Sequence, residues 1–139
     1  MKLRELIAGV PLTGGSADLE MEIYSISYDS RTLEPGALFV ALPGARDDGG
    51  RYVAAAWEKG AAAVLSRTPP ETDIPWLGAE DPRLALALIS ANWFGRPGEG
   101  MTLVAVTGTN GKTTTTSLIR EMQEGAAGAR VGLIGTNRN

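Results

Sequence analysis

The residues best suited to chemistry lie in one stretch, 106–116, which reads VTGTNGKTTTT. Glycines at 108 and 111 permit the unusual backbone angles that point successive N–H groups inward, and they leave room for phosphate oxygens. Lys112 supplies a cation for the β and γ phosphates of a nucleotide, and Thr113 supplies a hydroxyl for Mg²⁺. This order of residues predicts a loop that binds ATP together with Mg²⁺.

Two elements must position that loop. An apolar strand over residues 103–106 delivers the chain into the turn, and a helix from about Lys112 to Glu124 leaves it. Because the helix starts at the turn, its unpaired N–H groups and the positive end of its dipole add to the phosphate site. The strict phosphate-loop pattern has glycine at the position of Val106, whereas the early glycine here is Gly108. An incidental glycine-rich turn with a lysine on its helix is the alternative interpretation.

The rest of the chain alternates strands with helices, which is typical of an α/β architecture. We predict helices over residues 2–8, 51–59, 82–94 and 112–124 from apolar residues at helical spacing and from the start signal Asp81-Pro82. Strands are predicted over residues 21–30, 37–42, 62–66, 76–80, 101–108 and 130–136. The Gly- and Pro-rich stretch 95–100 is typical of a linker. We therefore expect a small N-terminal α/β domain over 1–97, then the first strand–phosphate loop–helix–strand unit of a P-loop ATPase domain over 98–139.

Composition narrows the function classes. The 139 residues carry a formal net charge of -3 and contain no histidine or cysteine, which excludes disulfides, thiol nucleophiles, histidine-ligated zinc and Ser-His-Asp chemistry. The acidic balance argues against a nucleic-acid or acidic-membrane partner, since both select for basic surfaces. No apolar run reaches the roughly 18 residues needed to span a bilayer, and the N-terminus lacks the apolar region of a signal peptide. We expect a soluble cytoplasmic protein with neither a nucleic-acid nor a membrane partner.

The strand predicted over residues 21–30 ends in a second polar stretch. Asp29 and Ser30 offer short polar side chains suited to turns and to hydrogen bonds with a ligand. The alternative is a plain turn closed by the Asp29 side chain, with Arg31 in a surface ion pair. The residues alone leave both interpretations open.

The phosphate loop with its Asn110 resembles the ATP-binding loop of the Mur ligase superfamily, which includes the folylpolyglutamate synthetases. The upstream pattern DSR…PG.LFVAL.G…DG..Y…A…GAAAV over residues 29–65 resembles the N-terminal, UDP-binding domain of Mur ligases of the MurE type. Ligases of the MurF type share much of this first half, but their loop usually reads TGS followed by a variable residue before GKT. The sequence TGTNGKT here, together with the later GLIGT, favours the MurE type.

The resemblance implies a function in bacterial peptidoglycan synthesis, and hence in cell-wall growth, cell shape and division. MurE-type ligases join an amino acid, meso-diaminopimelate or L-lysine, to UDP-MurNAc-L-Ala-D-Glu in the cytoplasm. ATP phosphorylates the D-Glu carboxylate, and the incoming amine displaces phosphate from the acyl phosphate. The resemblance therefore implies ATP and Mg²⁺ as cofactors and the UDP-linked dipeptide as substrate.

Carried over by position, the resemblance also implies two sets of site residues. The ATP set comprises Gly108, Thr109, Asn110, Gly111, Lys112, Thr113 and Thr114, with Thr113 also holding Mg²⁺ through the nucleotide. The UDP set comprises Tyr28, Ser30, Ala45, Arg46 and Asp47. The stretch GARDDGGRY lacks the histidine that many relatives carry, so the contacts from residues 45–47 are expected to be backbone contacts.

Later parts of such a ligase would supply carboxylates for Mg²⁺, a modified lysine and the domain that selects the amino acid. We therefore expect this chain to be an N-terminal fragment that has no ligase activity by itself and no residues that act as catalysts. The alternatives are a stand-alone nucleotide-binding module with a regulatory role, and a fragment of a MurF-type ligase.

Overall fold

The computed structural model describes residues 1–43, 49–71 and 73–135 of the chain. The backbone divides into two compact units, Met1–Gly100 and Met101–Asn139. Within the described ranges, no helix is long and apolar enough to cross a membrane.

The first unit is built on a five-stranded sheet with the order β1-β5-β4-β3-β2. Strands β2, β3, β4 and β5 pair parallel with one another, whereas β1 pairs antiparallel with β5. The strands are β1 (Gly14–Gly15), β2 (Ser25–Ser27), β3 (Ala37–Val40), β4 (Ala63–Ser66) and β5 (Trp76–Gly78). Helix α1 (Leu3–Leu6) precedes the strands, α2 (Val53–Glu58) connects β3 to β4, and α3 (Pro82–Trp93) follows β5, with 3₁₀ turns at Gly49–Tyr52 and Pro97–Gly100. The α/β fold class predicted from the sequence is confirmed.

The sheet is covered on both faces, which explains why its strands β3 and β4 are almost entirely apolar. Every residue of β3 and β4 is buried. Alternate side chains of β3 enter two separate clusters: Leu38 packs with residues of α1 and α3, and Phe39 packs with residues of α2. Parallel strands buried in this way read as continuous apolar runs because both faces are packed.

Helix α3 begins as its sequence predicts. The Asp81 carboxylate accepts hydrogen bonds from the backbone N–H groups of Arg83 (2.9 Å) and Leu84 (3.1 Å), and Pro82 occupies the first helical position. These bonds satisfy donors that have no partner inside the helix. The helix lies against the sheet through Ala85 and Ile89, which are fully buried.

The sequence did not predict β1, because two consecutive glycines carry no strand signal. Gly14 and Gly15 pair with Gly78 and Leu77 at the edge of the sheet. The strand predicted over residues 21–30 is confirmed only for Ser25–Ser27.

The second unit contains one helix, α4 (Lys112–Ala127), where a helix was predicted. The strands predicted on either side are not formed in the described residues 101–107 and 130–135. Both segments carry apolar side chains that are highly exposed within this unit, including Leu103 (74%) and Ile134 (93%). An extended segment becomes a strand only when neighbouring strands satisfy its N–H and C=O groups, and apart from a single bridge at Gly135 the described residues of these segments lack that pairing.

Candidate functional site

A cavity of 450 Å³ opens at the carboxyl ends of strands β2 and β3 in the first unit. Parallel α/β sheets commonly bind ligands at this edge, where the loops after the strands converge. Residues just after β2 form one wall, Leu42 follows β3, and Tyr52 lies directly before α2. The described lining comprises Tyr28, Asp29, Ser30, Arg31, Phe39, Leu42 and Tyr52.

The turn after β2 is held by its own side chains. The Ser27 hydroxyl donates to the Asp29 carbonyl oxygen (3.0 Å) and accepts from the Asp29 N–H (3.2 Å). The Asp29 carboxylate then accepts from the Arg31 N–H (2.9 Å), and the Thr32 N–H donates to the Asp29 carbonyl oxygen (3.3 Å). These bonds fix the backbone on both sides of Ser30.

Asp29 and Arg31 also form a two-pronged ion pair. The guanidinium donates from Nε to Asp29 Oδ1 (2.9 Å) and from Nη2 to Asp29 Oδ2 (2.7 Å). The hydrogen bonds from the Arg31 side chain, and then the one from its backbone N–H, lower the pKa of Asp29 to about 2. The same side-chain bond raises the pKa of Arg31. The turn and ion pair that the sequence offered as an alternative to ligand binding are therefore both present.

Ser30 itself is left out of this network. It lines the cavity and is half-buried, yet it makes no hydrogen bond within the described part of the chain. A hydroxyl fixed beside a cavity, with its hydrogen-bonding capacity unused, is suited to binding a polar ligand group. The intramolecular turn and a ligand role for Ser30 are thus compatible.

Aromatic side chains form much of the remaining wall. Tyr28 and Tyr52 expose 66% and 43% of their surface, and Phe39 is almost fully buried beneath them. Tyr28 was predicted to lie at this site. Tyr52 was not assigned a role, although the tyrosine after DGG in the sequence pattern is the signal that could have identified it. Of the other residues predicted to contact UDP, Ala45, Arg46 and Asp47 lie outside the described residues.

The predicted phosphate loop lies in the second unit and leads directly into α4. Gly108 has φ +148° and Gly111, the residue before the helix, has φ +77°. These angles favour glycine, as the sequence analysis required. No side chain caps the first turn of the helix, so its N–H groups remain available. Residues 107–115 are all exposed.

Lysine and threonine side chains of the loop already have protein contacts. The Lys112 ammonium donates to the Gly108 carbonyl oxygen across the turn. The Thr116 hydroxyl lies 3.0 Å from the carbonyl oxygens of both Lys112 and Thr113 and donates back into the helix. The Thr116 hydroxyl is thus bonded within the helix. By contrast, Thr109 and Asn110 on the loop, and Thr113 and Thr114 on the first turn of α4, are exposed. No cluster of three acidic, histidine or cysteine side chains that could hold a metal occurs among the described residues.

A parallel sheet covered by helices on both faces, with a cavity at its carboxyl edge, defines an α/β protein with a ligand site of the usual topology. The family model of the Mur ligase family, catalytic domain, matches residues 22–92, and that of the Mur ligase middle domain matches residues 106–139. The chain belongs to the Mur ligase family.

Similar proteins agree with this assignment. The UDP-N-acetylmuramoyl-L-alanyl-D-glutamate--2,6-diaminopimelate ligase of Syntrophomonas wolfei is 44% identical over 138 residues, which cover 98% of this chain and 28% of that protein. A structure of MurF from Acinetobacter baumannii matches with a TM-score of 0.62 and 27% identity, over 88% of this chain and 27% of that one. The MurF ligase from Thermotoga maritima in complex with ADP matches with a TM-score of 0.54 and 27% identity, over 72% and 23%. The chain spans about 28% of the length of the curated relatives it matches.

Proposed function

We propose that this chain is the N-terminal part of a MurE-type ligase, which adds 2,6-diaminopimelate to UDP-MurNAc-L-Ala-D-Glu with ATP hydrolysis in the bacterial cytoplasm. Three relatives named as diaminopimelate ligases are 43–44% identical over nearly the whole chain, which supports the MurE type. L-Lysine is the alternative amino acid, and a MurF-type ligase is the alternative enzyme.

In this proposal residues 1–97 bind the UDP-linked substrate and residues 98–139 begin the ATP-binding domain. Ser30 is the residue that supports UDP binding by the first unit: its backbone is fixed on both sides, and its hydroxyl lines the cavity with no hydrogen-bond partner among the described residues. A preorganised donor lowers the ordering cost of binding a polar ligand. Tyr28 and Tyr52 offer aromatic surface suited to the planar uracil ring.

The phosphate loop supports the second part. Residues 108–114 would surround the ATP phosphates with backbone N–H groups, and the Thr113 hydroxyl would reach Mg²⁺ through the nucleotide. Bound ATP would supply the phosphoryl group that activates the substrate carboxylate. Lys112 must exchange its bond with the Gly108 carbonyl oxygen for one with a phosphate, which the exposed position of both residues permits.

Calorimetry with UDP on the 139-residue chain tests the proposed UDP site. Replacing Ser30 with alanine removes one hydrogen bond to the ligand, and we expect affinity to fall about threefold to tenfold. Ser90→Ala, on helix α3, is the matched control and should bind as the wild type does. Equal binding by wild type and Ser30→Ala would refute the role of Ser30, and no UDP binding by the wild type would refute the site.

Titration of the 139-residue chain with ATP and Mg²⁺ tests the proposed ATP-binding loop. Lys112→Met keeps the length of the side chain but removes its charge, so we expect ATP affinity to fall at least about tenfold. Lys2→Met changes the net charge equally and should have no effect. Binding of ATP without binding of UDP would instead favour a stand-alone nucleotide-binding module.

A further inference from the structure

One contact joins the turn after β2 to a distant part of the chain. The Lys59 ammonium donates to the Arg31 carbonyl oxygen at 3.0 Å, across a sequence separation of 28 residues. The hydrogen bonds that Ser27, Arg31 and Thr32 make with Asp29 join residues of the turn to one another. They fix the shape of the turn but do not attach it to another element. The bond from Lys59 does.

Helix α2 links this contact to another part of the cavity lining. Tyr52 directly precedes α2 and lines the cavity, and Lys59 directly follows the last residue of α2. The helix is anchored beneath the sheet by Val53 and Ala56, which are buried. A short rigid element therefore carries an aromatic wall of the cavity at one end and the tie to the turn at the other.

We propose that Lys59 is a positioning residue for the UDP site: it holds the turn that carries Ser30 at a fixed place relative to Tyr52. This inference rests on the proposed function, in which Ser30 binds the UDP group. Lys59 acts through the turn and not on the ligand, because its ammonium binds a backbone carbonyl and it is not one of the described residues that line the cavity. Arg31 does not oppose the contact, since its own charge is paired with Asp29.

The test measures UDP affinity by calorimetry on the 139-residue chain. Lys59→Met keeps the aliphatic stem and removes the donor, so the turn must be ordered by the ligand itself. We expect affinity about threefold to tenfold weaker than wild type, the size expected when a preorganised contact is lost. Lys59→Arg restores a donor and should bind within about twofold of wild type. Lys2→Met removes an equal charge from an exposed lysine paired with Glu20 and should bind like the wild type.

Two further measurements separate positioning from a direct role. A direct charge effect on the diphosphate would weaken as salt rises, so the ratio of wild-type to Lys59→Met affinity should be the same at low and at high salt. If Lys59 acts through Ser30, the Lys59→Met change should cost less in a Ser30→Ala background than in wild type. A ratio that collapses at high salt, or fully additive effects, would overturn the inference. The unfolding midpoint of Lys59→Met should fall by no more than the few degrees that one lost hydrogen bond costs, and a larger fall that accounts for the loss of affinity would also overturn the inference.

The outcomes distinguish this inference from the function on which it rests. If wild type binds UDP and Ser30→Ala weakens binding while Lys59→Met does not, the positioning role is wrong and the site remains. If the wild type does not bind UDP, both are wrong.

Discussion

Replacing Gly36 with alanine should destabilise the first unit by about 2 to 3 kcal/mol. Gly36 lies in the turn before β3 with φ +81°, a conformation that costs a residue with a side chain about 1 to 2 kcal/mol. An added Cβ would lie 2.5 Å from Cδ2 of Tyr24, so the exposed ring would have to swing away. That movement breaks the 3.0 Å hydrogen bond from the Tyr24 hydroxyl to Glu22, which is exposed to solvent and therefore adds a smaller cost.

The assay is thermal unfolding followed by tryptophan fluorescence, since all three tryptophans lie in the first unit. For a unit of this size we expect the midpoint to fall by about 10 to 20 °C. Gly14→Ala is the control, because nothing lies within 4 Å of the added methyl group, and its effect should stay within about 0.5 kcal/mol.

A second variant separates the two causes. In a Tyr24→Ala background the clash disappears but the backbone angle does not, so Gly36→Ala should still cost about 1 to 2 kcal/mol. A midpoint for Gly36→Ala equal to that of Gly14→Ala would refute the whole argument. A cost that vanishes in the Tyr24→Ala background would refute the contribution of the backbone angle.

Two further predictions concern polar contacts. Ser66→Ala should lower the free energy of unfolding by about 1 to 3 kcal/mol, because the buried Ser66 hydroxyl accepts a hydrogen bond from Nε1 of Trp76 at 2.8 Å and its loss leaves that N–H unpaired. Urea unfolding measures this free energy. A Ser66→Ala chain as stable as the wild type would contradict the prediction. The folded-state pKa of Asp29, about 2, lies below its ordinary 3.8, so its pairing with Arg31 stabilises the fold above pH 3.8 and that contribution is lost as the pH falls toward 2. The difference in unfolding free energy between wild type and Asp29→Asn should therefore shrink through that interval, and a difference that stays constant from pH 5 to 2 would show that the pairing makes no contribution.

Local signals in the sequence predicted the first unit well where they act through neighbouring residues. Asp81 and Pro82 start α3 because a carboxylate and a missing N–H suit the first turn of any helix. The all-apolar run at β3 predicts a strand buried on both faces. By contrast, Gly14 and Gly15 become a strand only because β5 lies beside them, and no pattern in two glycines encodes that neighbour.

The same distinction applies to the site and to the second unit. Gly111 and Lys112 predicted the loop and the start of α4, because the backbone angle and the helix are local properties. The strands around them need partners, so their apolar pattern alone did not form a sheet in the described residues. The contact from Lys59 to Arg31 could not have been predicted either, since it depends on how α2 lies against the sheet.

The two outer strands of the sheet, β1 with two residues and β2 with three, have a consequence for behaviour in concentrated solution. An outer strand exposes N–H and C=O groups with which a second molecule can pair, and long, flat outer strands lead to aggregation. Edges this short allow a neighbouring chain only a few such bonds. The four-residue strands β3 and β4, which are mostly apolar, lie in the interior of the sheet, so their backbone edges are not accessible to another molecule while the unit is folded.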